Sequence, residues 1–88
     1  MSDYIGQVPE EVDQLSAEFE AKAGDLEGIK STISSKLAVT TWTGTDRERF
    51  ESDWEGQFSA TITQIVAQLR TAGTIASDNA QEQRDASA

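Results

Sequence analysis

The chain has 88 residues with 7 basic and 16 acidic side chains, a formal charge of −9, and neither cysteine nor histidine. That length holds one small domain, and the missing cysteines exclude a disulfide framework and a sulfur-only metal site. The acidic balance argues against a nucleic-acid backbone as partner and against strong binding to an anionic membrane.

The opening residues, Met1-Ser2-Asp3-Tyr4-Ile5-Gly6, carry neither a basic nor an apolar stretch, so no Sec or twin-arginine signal is expected. The single proline, Pro9, is followed by Glu10 and Glu11. Proline suits the first helical position, where its missing N–H is no loss, and the two carboxylates suit the positive end of a helix. From there Val12, Leu15, Phe19, Leu26, Ile29 and Ile33 recur at heptad-like spacing, and Leu37 closes the stripe. Lys22 and Lys36 interrupt it, but Ala23 and Leu37 lie beside them and the lysine stems can snorkel. The pattern predicts an amphipathic helix over about residues 9–39.

It breaks at Val39-Thr40-Thr41-Trp42-Thr43-Gly44, where β-branched residues and a glycine disfavour a helix interior. A bend over about residues 40–45 is predicted. Thr45-Asp46-Arg47-Glu48 then reads as a capping box, in which Thr45 and Glu48 would satisfy each other's backbone N–H groups. A second stripe follows: Phe50, Trp54, Phe58, Ile62, Ile65, Leu69, Ala72 and Ala76, predicting a helix over about residues 46–80. Beyond it the sequence is polar, and fraying is expected over about residues 81–88.

The predicted fold is all-α: an antiparallel two-helix hairpin, or helix-turn-helix, forming a single domain. A bend at Trp42 sets Ile33 opposite Phe50, Leu26 opposite Phe58, Phe19 opposite Ile65 and Leu15 opposite Leu69. Two helices cannot surround their own apolar stripes. Val12, Leu15, Phe19, Leu26, Ile29, Ile33, Trp54, Phe58, Ile62, Ile65 and Leu69 are therefore expected to form a hairpin and dimer core. Dimerisation into a four-helix bundle, as a homodimer or with a similar hairpin, would close it.

Enzyme chemistry is not expected. Without histidine or cysteine the commonest general base and the thiol nucleophile are missing. The carboxylate-bearing pairs Glu10/Asp13, Glu18/Lys22 and Glu51/Glu55 fall off the apolar stripes, where no pocket would separate their pKa values. Ser31, Ser34 and Ser35 lack an activating base, and the scattered glycines form no phosphate-cradling loop. No cofactor or metal is expected. Gly24 and Gly28 have the spacing of a small-residue contact but fall at outer positions, where they weaken the helix locally. Trp42 at the bend either plugs the end of the bundle or, with Gly44, presents a corner to another protein.

Trp42-Thr43-Gly44 between two amphipathic helices, with Phe50 following in Trp42-Thr43-Gly44-Thr45-Asp46-Arg47-Glu48-Arg49-Phe50, resembles the WXG (early-secreted-antigen-like, ESAT-like) family. The resemblance extends over essentially the whole chain. It implies a hairpin that forms a four-helix bundle, is made in the cytoplasm of an actinobacterial or other Gram-positive cell, and is exported folded by type VII secretion machinery. Its partner would be a second WXG-type hairpin. One departure stands out: exported members carry a Tyr-x-x-x-Asp/Glu pattern after the second helix, whereas the one tyrosine here is Tyr4. A partner could supply that signal. The alternative is an intracellular hairpin adaptor or chaperone that is not exported.

Overall fold

Pro9 stands at the first helical position, and α1 runs Pro9–Val39, 31 residues long. The computed structural model describes residues 6–87, and every regular element among them is helical. The Val8 carbonyl accepts the N–H groups of Glu11 and Val12 at 3.0 and 3.1 Å. Glu10 and Glu11 in the first turn and Lys36 in the last match the two ends of the helix dipole. The helix stops where Thr40 turns to extended backbone, φ −77 and ψ 131.

After the bend, α2 (Thr45–Asp53) starts from Gly44, which takes φ 111 and ψ −175. Glycine reaches that region without the Cβ penalty of other residues. The expected Thr45–Glu48 capping box is not formed: no side chain caps this end, and the Glu48 N–H donates to the Gly44 carbonyl at 3.1 Å. With Gly44 as the capping position, Thr45 already has helical backbone and its hydroxyl no longer stands where a cap must.

Trp54–Phe58 is one π-helical turn, closed by the Ser59 N–H donating to the Trp54 carbonyl, and α3 continues as Ser59–Ser87. The second helix is thus one bent rod from Thr45 to Ser87. The molecule measures 66 × 17 × 14 Å. The helix also continues through the tail where fraying was expected. Ala80 is wholly buried, Arg84 Nη2 lies 2.6 Å from Asp13 Oδ2, and Gln81 and Gln83 donate to Asp85 and Ser87 one turn on.

The two long helices run antiparallel and touch through small side chains. Ala23 on α1 and Ala80 on α3 are fully buried, joined by Val66, Gly73 and Trp54. Gly73 marks a close approach of the two helices. A Cβ there would lie 3.2 Å from the Ser16 carbonyl oxygen and 3.3 Å from Phe19 Cβ. Ser16 Oγ donates to the Gly73 carbonyl at 2.7 Å, drawing the backbones together.

This contact displaces the layers that the bend position alone predicts. Ser34, not Ile33, faces the second helix and meets Trp54 rather than Phe50; Ser16 meets Gly73 rather than Leu15 meeting Leu69. Backbones approach this closely only where small residues oppose one another, and those pairs lie about one turn along from the large ones. Inward positions of the second helix run Arg47, Trp54, Ile62, Val66, Leu69, Gly73, Ala76 and Ala80. The step from Trp54 to Ile62 exceeds a heptad by one residue, and the π turn absorbs it.

Two glycine variants test this arrangement. Gly73→Ala should destabilise the hairpin by about 1–3 kcal/mol through overpacking. Gly24→Ala, with nothing near its Cβ position, should stabilise it by about 0.5–1 kcal/mol through helix propensity. Urea unfolding of both at matched concentration reads the two signs.

Candidate interaction surface

The contact line between the helices has two edges, and they differ in chemistry. On one edge α1 presents Asp13, Glu20 and Glu27 at heptad spacing, and α3 presents Thr63 and Arg70, also a heptad apart. Arg70 joins the helices there: its Nε lies 3.0 Å from Glu20 Oε2 and its Nη2 lies 2.8 Å from Glu27 Oε1. Lys30 Nζ donates to Thr63 Oγ1 at 3.0 Å, and Arg84 reaches Asp13 at 2.6 Å and Glu10 at 3.9 Å.

Two residues further along a helix is about 200° around it. Leu15, Lys22 and Ile29 therefore lie across α1 from the acidic row, and Ile65 and Ala72 lie across α3 from Thr63 and Arg70. Because Arg70 fixes the polar rows on one side of the hairpin, the apolar rows share the other. Leu15 (51 % exposed), Ile29 (53 %), Ile33 (41 %), Phe58 (47 %) and Ile65 (41 %) stand in solvent along this edge. Val12, Phe19, Leu26, Ile62 and Leu69 are half-buried at the contact line, and Trp54 is buried. The residues read from the sequence as one core thus divide into an inner contact and an outer apolar edge.

The bend end adds aromatic surface. The Trp42 and Phe50 rings are 5.5 Å apart at 49°, both more than a third exposed, and Val39 stands beside the bend 75 % exposed. Trp54, by contrast, is anchored: its Nε1–H donates to Ser34 Oγ at 2.8 Å, and its ring lies 6.4 Å from that of Phe58. A buried tryptophan needs such an acceptor, so Ser34 has a structural use that its lack of an activating base left unexplained. Thr45 and Glu48 are exposed in the first turn of α2.

Sequence reasoning did not single out Arg47, Arg70, Ser16 or Gly73. Arg47 had a visible signal, a cation between Asp46 and Glu48 in a first helical turn, where acids are favoured. Gly73, not Gly24 or Gly28, is the glycine of close approach. Among the described residues, no group of three His, Cys, Asp or Glu side chains could hold a metal ion, and no helix is long and apolar enough to cross a membrane. Comparison with protein-family models, curated proteins and solved structures gives no match to this chain.

The arrangement can bind by apolar contact along one edge and at one end, and it orients that contact by closing the opposite edge with ion pairs. Hydrogen bonds and charge from Arg70 hold the Glu27 carboxyl below its usual range, and Glu27 and Glu20 raise the Arg70 guanidinium. A lowered folded pKa contributes stability above the ordinary carboxylate range, lost as the pH falls through Glu27's lowered value. The groups are exposed, so the effect is small and weakened by salt. Arg70→Gln should return Glu27 to ordinary titration, read by NMR of its side-chain carboxyl carbon. An unchanged Glu27 titration would count against the ion pair.

Proposed function

We propose that the chain is a non-enzymatic protein-interaction subunit of WXG type. It pairs along its apolar edge with a second hairpin to form a four-helix bundle, and it leaves the cell through a type VII apparatus as substrate or export partner. The observation that carries this reading is the one-sided apolar edge: Leu15, Ile29, Ile33, Phe58 and Ile65 stand exposed on a hairpin whose other edge is closed by ion pairs. These side chains are already about half covered, so burying the rest contributes roughly 1 kcal/mol each, about half the value for full burial. A hairpin of similar length and heptad spacing is the partner whose shape matches a straight apolar strip.

The family assignment rests on the Trp42-Thr43-Gly44 bend between two long helices and on the spacing to Phe50. A folded hairpin suits export without unfolding. The partner is a second WXG-type hairpin, in a homodimer or a heterodimer. The same apolar edge would equally serve a second reading, an adaptor or chaperone hairpin that stays in the cytoplasm.

Two experiments test these readings. Purified chain should sediment as a dimer at micromolar concentration or gain helicity when its partner is added. Ile29→Glu with Ile65→Glu should abolish association while leaving the monomer's helices intact. A well-folded, strictly monomeric wild type with no effect of the double variant would refute the pairing. For export, the chain should appear in culture supernatant only when the secretion ATPase is intact; retention in both strains would favour the adaptor.

A further inference from the structure

Arg47 sits in the first turn of α2, at the positive end of a helix, where a cation is electrostatically misplaced. Its side chain does not point into solvent. It is only 15 % exposed and reaches back across the bend to the negative end of α1. Nη2 donates to the Leu37 carbonyl at 3.0 Å, and Nη1 donates to the carbonyls of Thr40 at 3.2 Å and Trp42 at 2.9 Å. Glu51, one turn on, accepts from Nη2 at 3.2 Å and balances the charge. Three carbonyls spanning the end of α1 and the bend therefore converge on one guanidinium. Its Nε is buried without a partner, so the geometry is set by the carbonyls and not by the arginine's own full satisfaction.

α1 needs this help. It ends at an extended Thr40, with no glycine in the left-handed position that usually satisfies the last carbonyls. Thr40 contributes two bonds of its own, Oγ1 to the Lys36 carbonyl at 2.6 Å and N–H to the Leu37 carbonyl at 3.2 Å. Those stop short of Trp42. Among the hydrogen bonds of the described residues, the Trp42 carbonyl is held by Arg47.

We infer that Arg47 is a lock that gives the Trp42–Phe50 corner a preset shape. It clamps the bend to the end of α1 and holds the Trp42 backbone, so that Trp42 rests on Phe50 and its exposed face is presented in one orientation. A partner reading the corner would then meet an ordered surface and not have to order a loop. That consequence rests on the interaction role proposed above; the lock itself is a property of the isolated chain and is tested on it.

A lysine keeps the charge near Glu51 but cannot offer a planar fork to three carbonyls. Full-length Arg47→Lys should keep the far-UV circular dichroism of the wild type. Backbone order parameters across residues 41–44 should fall, and the Thr40 amide should exchange about tenfold faster. The Trp42 indole resonance should shift while that of Trp54 stays in place. Glu51→Gln, which leaves the carbonyl bonds intact, should change the bend far less. An unaltered bend in Arg47→Lys would overturn the lock, as would a loss of helicity spread over the whole chain in both Arg47→Lys and Arg47→Gln. A strictly monomeric wild type with an ordered bend would refute the pairing and leave the lock standing, so the two readings fail separately.

Discussion

The close contact at Gly73 governs the rest of the molecule. Once the Ser16 hydroxyl and Phe19 Cβ sit against a residue without a side chain, the helices approach through small groups, and bulky ones such as Phe19, Leu26, Ile62 and Leu69 are only half-buried at the contact line. Ala23 and Ala80 fill the interior, and the largest buried side chain is Trp54, at the end nearest the bend. The remaining bulky aliphatic residues, Leu15, Ile29, Ile33 and Ile65, stand on the flanks. On one flank the charged heptad row already holds α1 to α3, so the apolar residues gather on the other. A hairpin packed through large residues would have hidden them and would have had little left to offer a partner.

The π turn is the second consequence. Trp54 must point inward to reach Ser34, and Ile62, Val66 and Gly73 must point inward further along. An unbroken α-helix cannot do both, because the chain carries one residue too many between Trp54 and Ile62. The wider turn at Trp54–Phe58 takes up that residue without breaking the helix. Phe58 then falls beside the contact line, in the same edge as Ile65, while Trp54 is kept inside.

Much of this was legible in the sequence. The heptad-like recurrence from Val12 to Ile33 and the break at Val39-Thr40-Thr41 give α1 its bounds, because period and propensity are local properties. The hairpin follows from the short connection. The register does not. Which residues meet across the helices depends on a close approach, and small residues such as Ser16 and Gly73 carry no periodic signal. The run Phe50, Trp54, Phe58, Ile62 held a warning, since successive steps of four drift around an α-helix by about 40° each and a widened turn is one way to correct the drift. The capping box failed for a related reason. Thr45 and Glu48 have the right spacing, but Gly44 can adopt a backbone that claims the capping position first. Arg47 shows its misplaced charge in the sequence but not its role, because its partners are carbonyls, which every sequence has and no motif displays.

Charge bears on what can cover the apolar edge. The chain carries −9 in total, and two of its few cations, Arg70 and Arg84, are engaged on the polar edge with acids of its own. A second copy would bring the same excess of negative charge to the interface, so self-pairing has to overcome repulsion that salt relieves. A hairpin with basic residues beside its own apolar strip would meet no such repulsion, and salt would weaken that complex instead. The sign of the salt dependence therefore separates the two kinds of pairing. In the proposed pairing the apolar contact would be common to both, and the surplus of acid would favour a partner of opposite charge over a copy of the chain itself.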